Sequence, residues 1–121
     1  MPSPDSNPQP AKAKPTADKN RASFLALAVV SARQPKLTLG QIVITSNAHA
    51  VLATDEVSTA LRRHAFGDWG TVSAEDWKTN NQRCGEKGMV LSAYESAKGT
   101  PFWVISDPGH EVTTVLLPKD Y

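Results

Sequence analysis

The chain has little of several features that common classes of protein need. Cys84 is the only cysteine, so no intramolecular disulfide can form and no cysteine pair is available for structural zinc. The longest strongly apolar run, residues 24–30, has seven residues, whereas a membrane span needs about 20. The first residues lack a basic stretch followed at once by an apolar one, which argues against a signal peptide. We therefore expect a soluble, cytoplasmic protein without a membrane segment.

Signatures of cofactor and metal sites are missing too. The two glycines of residues 67–70 are not followed by Lys and Ser or Thr, so the chain has no Walker or dinucleotide-binding motif. Ser92 lacks the flanking glycines of a hydrolase elbow. The three histidines show no metal-ligand spacing. We predict no cofactor and no metal site.

Charge and proline divide the chain into two parts. Residues 1–35 carry five Lys or Arg against two Asp or Glu, and residues 36–121 carry eight against ten. Five of the nine prolines fall within residues 1–20, which predicts a disordered or loosely ordered basic tail over residues 1–35. Such a tail can contact nucleic acid weakly through counterion release. Residues 21–33 are either a short helix docked on the domain or part of an upstream extension.

Residues 37–121 are predicted to form one globular domain that begins with a strand and two helices. The β-branched residues within 39–45 predict the strand. Ser46 or Asn47 can cap a short helix. Thr54 is predicted to be the N-cap of the second helix, and Gly67 to end it. The apolar face of this helix repeats at i, i+3, i+4 and i+7, over Val57, Ala60, Leu61 and His64.

A third helix is predicted to begin after Ser73, which has the spacing of a capping box with Asp76. Gly85 and Gly88 are predicted to close it. One face of this helix is predicted to carry Trp77, Asn80, Asn81 and Cys84.

The last third of the chain predicts three strands with short turns. The strands are predicted over residues 89–95, 102–107 and 112–117, with turns at 97–100 and 108–111. Connections this short produce an antiparallel meander. The predicted fold class is α+β: a small antiparallel sheet, formed by this meander and the N-terminal strand, with two to three helices on one face.

Several segments of the domain occur together in a known set of proteins. They are LGQIV at 39–43, RH at 63–64, GDWG at 67–70, Asp76 with Asn80 or Asn81, LSAY at 91–94, FWVI at 102–105, TTVLLP at 113–118 and the final Tyr121. Together they resemble a family of small bacterial "plasmid-related proteins" from plasmids and other mobile elements, some of them labelled as a type I restriction-modification subunit M. The resemblance covers residues 37–121. Residues 106–110 depart from it, because an Arg-containing stretch is expected there.

The resemblance implies a genomic context and carries no chemistry over to this chain. A DNA methyltransferase needs a doubly wound sheet with a glycine-rich first turn. This chain of 121 residues is too short for such a sheet and lacks the turn. We therefore expect an accessory protein of a plasmid or mobile element. It would bind a host or plasmid-encoded protein in plasmid maintenance, replication or defence evasion. The oligomeric state does not follow from the sequence.

The best candidate for a catalytic site combines His64, Asp68, Asn80 and Asn81. Asp68 can orient the imidazole of His64 through a ring N–H, as the carboxylate beside a catalytic base does. The asparagine amides can hold a substrate or an oxyanion. The alternative function is therefore a small hydrolase or toxin-like enzyme that acts on nucleotide or RNA, with His64 as general base.

Four further residues are candidates for binding: Trp69, Tyr94, Thr113 and Thr114. Trp69 and the candidate catalytic residues also have purely structural interpretations. Tryptophans are the largest core residues available to a small domain. A histidine on an apolar helix face is commonly bonded within the core, and Asp68 can bond the backbone of its own turn.

Overall fold

The computed structural model describes residues 34–121. Four strands and three α-helices follow one another: β1 Gln41–Ile44, α1 Ser46–Val51, α2 Thr54–Ala65, α3 Ala74–Gly85, β2 Val90–Glu95, β3 Pro101–Ser106 and β4 Val112–Leu116, with a 3-10 turn at Pro118–Asp120. The predicted tail, apart from its last two residues, and the predicted helix at 21–33 lie outside the described residues. The α+β fold class is confirmed.

The caps of the first two helices differ from the prediction by one residue. The side chain of Thr45, not of Ser46 or Asn47, accepts the N–H of Ala48 at the start of α1. Helix α2 has Ala53 as its N-cap, and the carboxylate of Glu56 reaches back to the N–H of Ala53. Helix α2 therefore has one of the two bonds of a capping box, because alanine has no side-chain acceptor for the reciprocal bond.

Helices α2 and α3 are both followed by a residue in the left-handed conformation, but the residue type differs between them. Gly67 follows α2 with a φ of 83°, and the N–H of Asp68 bonds to the carbonyl of Arg63, as predicted for a glycine C-terminal stop. After α3, Lys87 takes the left-handed position with a φ of 58°, and Gly88 donates to the carbonyl of Arg83. Neither predicted glycine therefore occupies the left-handed position at the end of α3. The predicted N-cap of α3 is confirmed, since the Ser73 hydroxyl accepts the N–H of Asp76.

The sheet is mixed, with the strand order β1-β4-β3-β2. Strands β2, β3 and β4 form the predicted antiparallel meander. Strand β1 pairs in parallel with β4, with Gln41 opposite Val112, so the prediction that the whole sheet is antiparallel was wrong for this strand. The three α-helices connect β1 to β2, which lies at the other end of the sheet, so the two edges of the sheet are β1 and β2.

One face of the sheet packs against the helices and forms the core. The main cluster combines residues of α1, α2 and the sheet: Ala48, Leu52, Ala60, Tyr94, Phe102, Val104, Val115 and Leu117. A second cluster gathers around the fully buried Trp69, and contains Leu37, Cys84 and Val90. The buried residues of α2 include Ala60 and His64, as its predicted apolar face requires.

Candidate functional site

His64, the predicted general base, lies on the core-facing side of α2 and is 0% exposed. Its Nδ1 lies 2.6 Å from the hydroxyl of Ser92, and its Nε2 lies 2.9 Å from the hydroxyl of Ser106. The ring also makes an edge contact with Trp69, at 5.5 Å between centroids. Both ring nitrogens therefore have partners inside the domain. The imidazole joins helix α2 to strands β2 and β3.

The hydrogen bonds beyond Ser106 determine where the proton of the imidazole lies. The hydroxyl of Thr113 donates to the carbonyl of Leu39, so its oxygen must accept the hydrogen of Ser106. Because Ser106 has then used its only hydrogen, it accepts from Nε2–H of His64. Nδ1 consequently accepts from the hydroxyl of Ser92. Every member of this buried chain, from Ser92 to Leu39, is satisfied in the neutral Nε2–H tautomer.

The protonation of His64 agrees with this arrangement. Burial lowers the pKa of His64 from its ordinary value of 6.5 to about 4, and positive charge on His110 acts in the same direction. The imidazole is therefore neutral at pH 7. A general base must reach a proton of its substrate, but this imidazole has neither an exposed edge nor a free nitrogen.

Asp68 does not contact the imidazole that it was predicted to orient. Its carboxylate makes an ion pair with Arg63, with the Arg63 Nε 2.8 Å from Oδ2, and accepts the N–H of Gly70. The bond from Arg63 lowers the pKa of Asp68 and raises the pKa of Arg63. The guanidinium lies over the ring of Tyr94, at 4.6 Å from its centroid. Asp68 therefore stabilises its own turn on the surface of the domain.

The two asparagines serve different partners. Asn80, which is buried, donates to the carbonyl of Leu91 and accepts its N–H. Asn81 is exposed and accepts the indole N–H of Trp69 at 2.9 Å. Neither amide is bonded to His64, whose two ring nitrogens are bonded to Ser92 and Ser106, so the predicted catalytic constellation does not form.

The predicted binding residues are mostly part of the core. Trp69 and Thr113 are 0% exposed. Tyr94 is buried as well and donates its hydroxyl to the carbonyl of Asp68, and burial raises its pKa to about 12. Thr114 lies opposite Val43 and Ile105, on the face away from His64. Sequence reasoning did not identify Ser106, since nothing in its local sequence distinguishes a buried serine from an exposed one.

Two open pockets share the lining residues Asp55 and Glu56. One lies between α2 and strands β2 and β3 and is also lined by Thr59, Arg63, Tyr94 and Glu95. The other is lined by residues of α1 and of the β2–β3 turn. The carboxylate of Glu56 accepts the N–H groups of Ala97 and Ala53, and these bonds lower its pKa. Glu56 therefore has a structural role, because it links α2 to the β2–β3 turn.

The outer edge of β2 is covered by two neighbouring segments. The amide of Asn80 bonds to both backbone groups of Leu91. Two residues further along, Ala93 donates to the carbonyl of Trp69 and accepts the N–H of Thr71. Gly70 makes this approach possible, because a Cβ there would lie 1.9 Å from the carbonyl oxygen of Ala93. The backbone groups that β2 turns away from β3 are thus bonded at both Leu91 and Ala93.

We expect Asn80→Ala to lower the free energy of unfolding by about 1–3 kcal/mol, because it leaves two backbone groups of β2 without their partner. Urea unfolding followed by tryptophan fluorescence measures this change. Gln82→Ala is the control, since Gln82 is exposed on the same helix and should change stability by less than about 0.5 kcal/mol. Equal effects of the two substitutions would contradict the edge-covering role of Asn80.

The outer edge of β1, residues Gln41–Ile44, is open by contrast. Gln41 and Thr45 donate their N–H groups to β4, so the backbone groups of Ile42 and Ile44 point away from the sheet. Within residues 34–121 these groups have no hydrogen-bond partner. Ile42 is 49% exposed and Val43 40% exposed, and the strand contains no charge and no proline. The sequence predicts this strand but does not reveal that its edge is free.

Within the described part of the chain, no three His, Cys, Asp or Glu side chains come together as metal ligands would. Cys84 donates to the carbonyl of Lys36, and burial raises the pKa of its thiol. No helix of residues 34–121 has the length and apolar character that crossing a membrane requires. Comparisons with family models, with curated proteins and with solved structures gave no match to this chain.

Proposed function

We propose that this protein is an accessory protein of a plasmid or mobile element that acts by binding another protein, and that the open edge of β1 is its binding surface. The observation that carries the proposal is the contrast between the two sheet edges. The β2 edge has its outward backbone groups bonded, whereas β1 offers the groups of Ile42 and Ile44 beside exposed apolar side chains. Natural sheets commonly protect their edges with charges, prolines or covering segments.

Addition of a strand to such an edge is a common mode of protein recognition. Backbone hydrogen bonds supply the affinity, and side chains on alternate positions supply the selectivity. On β1 those side chains are Ile42 and Val43, one on each face of the sheet. A plasmid-encoded or host protein with an extended apolar segment matches this surface. Plasmid maintenance, replication and defence evasion are the roles we propose for the complex.

The alternative, a small hydrolase or toxin-like enzyme with His64 as general base, gains no support from the site. Its base would have to leave a buried hydrogen-bonded position before it met a nucleotide or RNA substrate. The other predicted catalytic side chains, Asp68, Asn80 and Asn81, are bonded to Arg63, Leu91 and Trp69.

The proposal is tested by co-purification from cells that carry the native plasmid. Tagged wild-type protein should retain one or a few specific proteins, which mass spectrometry identifies. Val43→Lys should lose them, because a lysine on an edge strand opposes the addition of another strand. We expect at least a tenfold loss of the retained protein, equivalent to about 1.4 kcal/mol.

Val51→Lys is the matched control. Val51 is 51% exposed on α1, so the same substitution is made at a similarly exposed apolar residue outside β1. It should retain the partner as wild type does. If wild type retains nothing that Val43→Lys loses, the proposed function is wrong.

A further inference from the structure

We infer that the strand that pairs with the β1 edge is β1 of a second copy of this chain, related to the first by a two-fold axis through Val43. The inference rests on the proposed function in one respect only, the use of this edge for association. It adds the identity of a partner, the strand orientation and the register.

The direction of the backbone groups limits the register. In β1 the odd-numbered residues bond to β4, since Gln41 donates to Glu111 and Thr45 to Val115. Ile42 and Ile44 therefore direct their N–H and C=O groups outward. In an antiparallel pair, outward groups must face outward groups. Gly40 does not extend the edge, because its φ of 64° turns the backbone away from the extended conformation.

One antiparallel register satisfies all the outward groups of the strand. It places Ile42 opposite Ile44 of the other copy, and Ile44 opposite Ile42, which forms four N–H···O bonds. Val43 then faces Val43 of the other copy on the two-fold axis, as a pair without hydrogen bonds of its own. Because the axis is perpendicular to the sheet, the helix faces of both copies lie on the same side.

The side chains suit this self-pairing. Ile44 packs against the core cluster on the helix face, and Ile42 lies on that same face two residues before it. In the dimer, isoleucine meets isoleucine on this face, and valine meets valine on the other. The strand carries no charge, so two copies do not repel each other along it. Within residues 34–121, β1 is the sheet edge whose outward backbone groups are unbonded. The β1 edge of a second copy offers the same unbonded N–H and C=O groups, so the two edges can bond to each other.

The length of β1 sets the strength of the dimer. Four residues span about 13 Å, so the contact is much smaller than the about 800 Å² per partner of a standard interface. We therefore expect a reversible dimer with a dissociation constant of about 0.1–1 mM. Such a dimer shields the edge at high local concentration and releases it for a tighter partner.

Sedimentation equilibrium of the full-length protein between about 10 µM and 1 mM tests the dimer directly. Wild type and Val51→Lys should shift from monomer towards dimer over this range, and Val43→Lys should remain monomeric. Hydrogen exchange adds a readout for each residue. The amides of Ile42 and Ile44 should become protected as concentration rises, whereas the amide of Val43, which points to β4, should be protected throughout.

A cross-link tests the register. In an antiparallel pair without hydrogen bonds the Cα atoms lie about 4.5 Å apart, within the range of a disulfide. Val43→Cys should therefore form a covalent dimer under mild oxidation, whereas Val51→Cys should not. Cys84 is 8% exposed and leaves this background low.

The outcomes separate this inference from the proposed function. A wild type that stays monomeric at 1 mM, together with a Val43→Cys variant that does not cross-link, overturns the second copy as occupant. If Val43→Lys then still loses the co-purified protein, the edge belongs to that partner and the proposed function stands. A dimer that Val43→Lys does not weaken overturns β1 as the contact. Thermal unfolding of each variant shows whether it is folded.

Discussion

Replacement of His64 by alanine is expected to lower the free energy of unfolding by about 3–5 kcal/mol. The substitution removes a fully buried ring that contacts Trp69 and leaves a cavity where it stood. It also removes the partner of two buried hydroxyls, those of Ser92 and Ser106. A buried hydroxyl that loses its partner costs about 1–3 kcal/mol by itself.

Urea unfolding at pH 7 measures this loss, and Arg63→Ala is its control. Arg63 precedes His64 in the same helix, but its side chain is 43% exposed and its ion pair with Asp68 lies at the surface. Exposed ion pairs contribute about 0–1 kcal/mol and the contact of the guanidinium with the Tyr94 ring about 0.5–1 kcal/mol, so this variant should lose clearly less stability than His64→Ala. If His64→Ala is as stable as wild type, the imidazole does not stabilise the fold. The hypothesis of an enzyme with His64 as general base would then regain support.

Acidification is expected to remove about 3 kcal/mol of stability between pH 6.5 and pH 4 through His64 alone. The pKa of the buried imidazole is about 4, against 6.5 ordinarily. The unfolded chain therefore binds a proton at pH 5, and the folded chain does not. The stabilisation is complete above pH 6.5 and is lost as the pH falls towards 4. The carboxylates of Glu56, Asp68 and Asp120, whose pKa values are also lowered, begin to add their losses as the pH approaches 4 and continue to do so below it.

The contribution of His64 is isolated by comparison with His64→Gln. Glutamine does not titrate, and its Nε2–H can replace the donor to Ser106. The difference in unfolding free energy between wild type and this variant should shrink by about 3 kcal/mol from pH 7 to pH 4. A difference that does not change with pH would mean that His64 titrates normally. NMR of the wild type at pH 6 should show the neutral Nε2–H tautomer.

Much of the fold could be predicted from local sequence patterns. Alternating and β-branched residues located all four strands, and the repeat of Val57, Ala60, Leu61 and His64 located the buried face of α2. The cap at Ser73 and the stop at Gly67 were correct because each depends on neighbours within four residues. The cap of α2 was wrong by one residue, since the helix begins at Thr54 and the Glu56 carboxylate accepts the N–H of Ala53, the residue before it. Lys87 took a position that the neighbouring glycines could have occupied.

The site could not be predicted in the same way, because its contacts join distant parts of the chain. His64 was correctly placed on an apolar helix face, but its partners Ser92 and Ser106 lie 28 and 42 residues away. Asp68 was chosen for its nearness in sequence, and an arginine at a similar distance took its carboxylate. The parallel pairing of β1 with β4 is also non-local. Without it, the open edge on which the proposed function depends cannot be recognised.

The parallel pairing of β1 with β4 also affects when the protein can fold during its synthesis. Gln41 emerges from the ribosome long before Val112, the residue opposite it in the sheet. Until β4 has been made, β1 has no strand partner on either side, and its uncharged apolar sequence stays open to other chains. Contacts between residues so far apart also slow folding, and unpaired strands of this kind make folding intermediates prone to aggregation. A nascent or truncated chain that ends before β4 is therefore the form of this protein most in need of a chaperone.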